Sequence, residues 1–328
     1  MTDQTYDILC MGRSSIDLYA HEIGVPLTGV KSFDAYVGGC PTNVSVGTRR
    51  LGLRSTLLTA VGDDEVADFV LQFLRDEGVE TRFIPHKPGR RTSAVVMSIQ
   101  PPDRFPLTFY RDNCADIALS IDDVLRAPVA ASRLLFVTGT GLSEEPSRGA
   151  TFFAAETAQA AGRTVVVDID YRPVVWHDQR AFGPAIRALL RGADIAIGTE
   201  EEVLAAGAER EGADIEHAIR VLLATGIETL IVKRGGRGAT IYRRAGDGTC
   251  TGIDVPPYPV EVLNVLGAGD AFASGFLYGF LQGWSYEQAA RLGNATGAIV
   301  VTRHGCANFM PTMAEVDAFV AEYGAGEG

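Results

Sequence analysis

Little in this chain suits a membrane, a nucleic acid or an oxidising compartment. No apolar run reaches the roughly 20 residues of a bilayer span. The start, MTDQTYDILCMG, has no basic stretch followed by an apolar one, so we expect a cytoplasmic protein with no membrane partner. Cysteine is sparse: Cys10, Cys40, Cys114, Cys250 and Cys306 are scattered, odd in number and never spaced as CxxC or a zinc knuckle, which predicts reduced, mostly buried thiols. His21, His86, His177, His217 and His304 show no metal-ligand spacing either. Basic runs are missing, and the net charge is −12, which disfavours nucleic acid and anionic lipid as partners. An anionic ligand would have to be met by a few placed cations, backbone amides or a metal. There is no GxxxxGK[ST] phosphate loop. Gly139-Thr140-Gly141 after LLFVTG begins like a dinucleotide fingerprint, but Glu144 stands at its third glycine position, which argues against a nicotinamide oxidoreductase. Internal repeats, low-complexity tracts and interdomain linkers are absent as well.

What is present is a chain of 328 residues, 46% hydrophobic and 21% charged, enough for a sizeable α/β core. Short apolar strands (YDILCMG, STLLTAVG, LLFVTG, TVVVDID, ADIAIG, TLIVKRG) alternate with helical stretches such as DDEVADFVLQFLRDEGV, which stops at Gly78. That rhythm predicts a mostly parallel sheet with helices on both faces. Residues 13–37 and about 90–113 break it. They read as extended and aromatic, with TSAVVMSIQ and FPLTFYR as a strand pair, and are expected to form a small sheet that covers a cleft as a lid. Three helical stretches, about 270–283, 286–302 and 313–323, close the chain.

Two glycine-rich turns are dense in chemistry. In LNVLGAGDAFASGFLYGF, the small residues Gly267, Ala268 and Gly269 precede Asp270 and a long apolar helix. Free amides at such a bend, with the positive end of the helix, make an anion site with Asp270 at its rim. Gly275, Gly279 and Gly283 recur at intervals of four along that helix, which predicts tight packing against another element. In GGCPTNVSVGTRRLG, Pro41 suits a first helical turn from which Asn43 points, and Gly38 and Gly39 allow close approach to the backbone. Taken singly, Asp270 could be a plain helix cap and Gly38–Asn43 a plain turn.

Together the two turns carry a resemblance. GGCPTN…GTRRLG followed far downstream by GAGDAFASGF resembles the two signatures of the ribokinase-like (PfkB) carbohydrate kinases, and the likeness runs over nearly the whole chain. It implies a ribokinase-like three-layer α/β/α sandwich with a mostly parallel central sheet and a small β-sheet lid, as a single domain over residues 1–328. It implies ATP and Mg2+ as cofactors and admits a monovalent cation. By the resemblance, Asp270 takes the proton of the sugar hydroxyl, kept ionised by the helix end, and the amides of Gly267, Ala268 and Gly269 hold the moving phosphoryl group. Asp17, Gly38, Gly39 and Asn43 would bind sugar hydroxyls. Lys233, Gly235 and Gly238 would line the nucleotide phosphates, Asn294 and Gly305 the adenine pocket, and Glu201 would hold Mg2+ through water. Where the family usually has Asp-Thr before its GAGD, this chain has Asn264 and Val265, and Gly198 replaces the usual Asn three residues before Glu201.

MGRSSIDLY, SFDAYVGGCPTN, FPLTFYRDNCAD, AIGTEEE and EVLNVLGAGDAF resemble one branch of that family, which phosphorylates the 6-hydroxyl of 5-dehydro-2-deoxy-D-gluconate in myo-inositol catabolism. Its acceptor carries a carboxylate, for which Arg111 and Arg172 are the expected partners; Arg172 could instead pair with Asp168 or Asp170. Another acceptor, such as 2-keto-3-deoxygluconate or fructose, stays open, as does a non-catalytic sugar sensor. The family likeness also admits a homodimer through the lid strands.

Overall fold

The computed structural model describes residues 6–101, 104–208, 212–244 and 250–325. Its strands are β1 (Tyr6–Met11), β2 (Ser15–Ala20), β3 (Phe33–Gly38), β4 (Ser55–Leu58), β5 (Ser93–Met97), β6 (Leu107–Tyr110), β7 (Ser132–Thr138), β8 (Thr164–Asp168), β9 (Ile195–Thr199), β10 (Thr229–Lys233), β11 (Ala239–Arg244) and β12 (Cys250–Val255). The α-helices are α1 (Cys40–Arg50), α2 (Glu65–Asp76), α3 (Ile121–Arg126), α4 (Ser147–Ala160), α5 (Phe182–Leu190), α6 (Glu200–Gly207), α7 (Ile215–Leu223), α8 (Ala268–Leu281), α9 (Tyr286–Val301) and α10 (Met313–Ala325).

The main sheet runs β12-β11-β10-β9-β8-β7-β1-β4. It is parallel from β10 to β4, and β10, β11 and β12 form an antiparallel edge. The strands are apolar without alternation because both faces are covered. Leu9, Met11, Leu135, Val137, Val165 and Val167 point into a core shared with α4, α5, α6 and α7. Their neighbours Ile8, Cys10, Leu134, Phe136 and Val166 point into a second core shared with α1, α2, α8 and α9. This is the three-layer arrangement the strand–helix rhythm predicts.

The second sheet, β3-β2-β5-β6, draws all four strands from the two segments that break the rhythm. It leaves the main sheet through the turn after β1 and returns at Gly39, the residue before α1. Gly39 has φ 105°, and a Cβ there would lie 2.3 Å from the Arg13 carbonyl oxygen, so no side chain fits. The predicted helix ahead of Gly78 is α2, capped by the Asp64 carboxylate, which accepts from the Ala67 amide at 2.9 Å. The glycines of α8 divide in role. Cβ atoms on Gly275 and Gly279 would lie 2.6 Å from Thr296 Oγ1 and 2.9 Å from Ala289 Cα of α9, whereas Gly283, at φ 79°, follows the helix and touches nothing. The first two pack, and the third ends the helix.

Candidate active site

The chemistry gathers at the carboxyl ends of β1, β7, β8, β9 and β10, where an open parallel sheet leaves a crevice. At its centre is the start of α8. Gly267, at φ 78°, turns the chain into the helix, and a Cβ there would lie 2.9 Å from the Cys306 amide nitrogen. The Ala268 amide donates to the Val265 carbonyl at 3.3 Å, so it is not free for an anion as the sequence suggested. Among the described residues, the amides of Gly267, Gly269 and Asp270 have no acceptor, and these three make the anion-facing set.

Asp270 Oδ2 accepts from Asn43 Nδ2 at 2.6 Å and also from the Cys40 thiol. Cys40 and Asn43 lie three residues apart on the first turn of α1 and so share a face. Burial raises the Asp270 pKa; the Asn43 and Cys40 donors and Lys233 oppose it, and Asp170 adds to it. The sequence reading had the helix end keeping Asp270 a weak base. Desolvation outweighs that effect and makes it a stronger one. Asn43 Oδ1 is buried with no partner, so an acceptor oxygen is left open beside Asp270.

Lys233, at the end of β10, reaches the same point. Its Nζ donates to Asp168 Oδ2 at 3.1 Å, and a Cβ on Gly269 would come within 3.0 Å of it. It is buried, not a surface charge beside a turn. Desolvation works against its charge, but Asp168 and Glu202 outweigh this and raise its pKa. Asp168 is pushed up to about 7, by burial first, with Lys233 opposing and Glu202, Asp170 and Asp270 reinforcing. Asp170, at φ 39°, accepts from Thr140 Oγ1 at 3.0 Å and pairs with Arg172 at 3.1 Å. The side chain of Arg172 is 41% exposed and also lies 3.8 Å from Glu202.

Glu202, not Glu201, is the acidic residue of the GTEEE run that turns inward. It is buried, and its Oε2 accepts from the Thr199 amide at 2.7 Å, closing a capping box at the start of α6. Glu201 is exposed, and Glu200 pairs with Arg237 and Arg234 of the β10–β11 turn. Thr199-x-x-Glu202 is itself the capping-box signature, which could have singled out Glu202 from sequence.

On β2 of the second sheet, Asp17 is buried. Its carboxylate accepts from Ser15 Oγ at 2.7 Å and Cys306 Sγ at 3.1 Å. A Cβ on Gly38 would overlap Asp17 Oδ2 at 2.0 Å, which accounts for the glycine. Burial raises the Asp17 pKa against the pull of Arg13, Ser15 and Cys306. Arg111 does not fill the expected role. It is buried, with Nε and Nη2 on Asp116, Nη1 on Ser143 Oγ at 2.8 Å and Nη2 also on the Thr140 carbonyl. All three nitrogens have partners inside the protein, and a single N–H, on Nη1, is left over.

In the β10–β11 turn, Gly235 (φ 56°) stands in open space, while Gly238 (φ 82°) packs on the Val255 carbonyl, 2.2 Å from where a Cβ would be. Asn294 Nδ2 donates to the carbonyls of Val255 and Pro256 at 3.1 and 2.8 Å, so it borders the same segment. Gly305 does not join them. Its Cβ position meets Asn264, Leu266 and Tyr19, which places it against the loop that precedes Gly267.

The chain and its fold have counterparts among known proteins. Residues 5–313 match the model of the pfkB family carbohydrate kinases. The chain is 35% identical to a 5-dehydro-2-deoxygluconokinase of Shouchella clausii over 97% of its own length and 96% of that protein's. Among solved structures, an E. coli protein described as a ribokinase II, in complex with ATP and Mg2+, superposes with a TM-score of 0.86 at 25% identity, covering 97% of this chain and 99% of that one. A double-mutant fructokinase from Vibrio cholerae, solved with fructose, ADP and a potassium ion, gives a TM-score of 0.83 at 26% identity over 97% and 99% of the two chains.

Proposed function

The chain belongs to the pfkB family of ATP-dependent carbohydrate kinases, and on that premise we propose that its acceptor is 5-dehydro-2-deoxy-D-gluconate, phosphorylated on the 6-hydroxyl. The observation that carries the reading is Asp270, half-buried at the start of α8 beside three unpaired amides and the ammonium of Lys233. The sugar 6-oxygen attacks the γ-phosphorus of ATP; the new O–P bond forms as the bond to the bridging oxygen of ADP breaks, and the hydroxyl proton passes to Asp270. The raised pKa of Asp270 suits it to receive that proton. The amides of Gly267, Gly269 and Asp270 face the charge that builds on the phosphoryl oxygens. Asn43 Oδ1 and Asp17 accept from sugar hydroxyls. The second sheet serves as the lid that keeps water from the transfer. Use of ATP as the phosphoryl donor suits a cytoplasmic location.

Magnesium neutralises phosphate charge when bound. Among the described residues, Asp168, Asp170, Asp270 and Glu202 are met by the cations Lys233 and Arg172, so the crevice is acidic and would repel a bare triphosphate. Among the described residues no cluster of three metal-ligating side chains exists. Both facts suit an ion that arrives with the nucleotide and is held by phosphate oxygens and water, with Glu202 as the protein's acidic contact. A monovalent cation fits less well near Asn264. Its Nδ2 donates to the His304 carbonyl at 2.6 Å and its Oδ1 accepts from the Leu266 amide at 3.1 Å, so a neutral amide already ties this loop together.

The test is Asp270→Asn. Turnover is expected to fall by about 10²–10⁴-fold, while sugar and MgATP binding, read by calorimetry, persist. Unchanged turnover would remove Asp270 from the role of base.

A further inference from the structure

We propose that Arg13 grips the carboxylate of the acceptor and sets the preference for a sugar acid over a neutral sugar. The inference rests on the acceptor reading above and adds the residue that recognises its acid group.

Three arginines stand near the acceptor side, and they differ in what they hold. Arg111 is committed to Asp116, Ser143 and Thr140. Arg172 pairs with Asp170 and sits near Glu202. Arg13 has no carboxylate within ion-pair distance among the described residues. Only its Nη1 is engaged, donating to Ser15 Oγ at 2.7 Å and Ser93 Oγ at 3.4 Å. Nε and Nη2, the edge of the guanidinium that meets a carboxylate with two parallel hydrogen bonds, have no partner.

Its position is as specific. Arg13 leaves the end of β1, and its carbonyl lies under Gly39 and accepts from Thr42 Oγ1 at 3.2 Å. The side chain runs toward the second sheet, with the guanidinium 5.3 Å from the centroid of the Phe109 ring on β6. Ser15, which it contacts, donates in turn to Asp17 at 2.7 Å. One hydroxyl therefore separates the guanidinium from the carboxylate placed on the sugar hydroxyls, and the side chain is half-buried between lid and crevice. The nearest carboxylate, Asp17, stands one hydroxyl away, so the open edge of the guanidinium is left to meet an incoming carboxylate. Asp17 feels both Arg13 and Asp270, so a six-carbon acid with its 6-hydroxyl at Asp270 and inner hydroxyls on Asp17 would bring its acid group toward Arg13.

The experiment measures kcat/KM with saturating MgATP for 5-dehydro-2-deoxygluconate and for its C1 carboxamide, in the wild type, Arg13→Gln and Arg13→Lys. Glutamine keeps a donor for Ser15 and Ser93 but no charge. The wild type is expected to favour the acid by about 10- to 100-fold, the range of a charge-assisted pair. R13Q should lose that preference to within about threefold, chiefly through KM for the acid, with KM for the amide changing far less. R13K should keep part of it. An R13Q that retains the wild-type ratio, or that loses both acceptors equally while melting like the wild type, overturns the proposal and leaves Arg13 as a strut for the lid. If R13Q does not fold, R13K decides: an undiminished acid preference counts against the bidentate grip. A wild type that turns over both compounds equally overturns this inference and leaves the acceptor reading standing, whereas one that turns over neither removes the acceptor reading itself.

Discussion

Asp270 illustrates how burial sets the chemistry of a single side chain. Its folded pKa lies above the unfolded value, with burial as the leading cause, so the charged form is disfavoured in the folded protein. The stability lost to that charge is fully present above the folded pKa and vanishes below the unfolded value of about 3.9. Asp270→Asn removes the titration and keeps a partner for Asn43. The variant is expected to melt above the wild type at pH 8, with the gap closing as pH falls toward 4; a constant gap across that range would mean that the carboxylate is not held at a raised pKa. Residues of this kind were partly legible in sequence. Asp270, Gly269 and Asn43 stand in short contiguous motifs, and their neighbours along the chain are also their neighbours in space. Lys233 and Asp168 meet only because β8, β9 and β10 lie side by side across 65 residues of sequence. Glu202 was missed in favour of Glu201 because a run of acids conceals which one folds back to the helix start. Arg111 looked available because sequence does not reveal Asp116 as its partner.

At the scale of elements, the glycines of α8 are the clearest device. Spacing by four predicted a close neighbour, and α9 is that neighbour. Thr296 Oγ1, which a Cβ on Gly275 would meet at 2.6 Å, is held by a hydrogen bond to the Ala271 carbonyl at 2.7 Å, so it cannot simply turn aside. Gly275→Ala gains about 1 kcal/mol of helix propensity but overpacks this contact, typically at 1–3 kcal/mol. We expect a net loss and a lower melting temperature, with a smaller fall in kcat, since α8 carries Asp270; a variant that melts higher than the wild type would contradict the packing argument. The helices and parallel strands were read from periodicity. The antiparallel edge β11–β12 was not, because β12 is largely exposed and lacks the buried apolar run of the parallel strands.

For the whole molecule, the second sheet exposes two unpaired edges, β3 and β6. Phe33 and Tyr110 on them are 40% and 60% exposed. Uncovered aromatic edges of this kind support pairing between two copies, and light scattering behind size exclusion is expected to give a dimer that Tyr110→Lys converts to monomer; a wild type that is monomeric at micromolar concentration would contradict it. The net charge of −12 makes the placed cations Arg13, Arg172 and Lys233 matter more, because nothing else in the chain's overall field attracts an anionic acceptor or nucleotide. The most direct measurement is ADP release with MgATP across 5-dehydro-2-deoxygluconate, 2-keto-3-deoxygluconate, fructose and ribose. Our account predicts the highest kcat/KM for the first. A higher value for any of the others would contradict the acceptor assignment while leaving the kinase fold in place, and silence on all four from folded protein would contradict both the acceptor and the proposed role of Asp270.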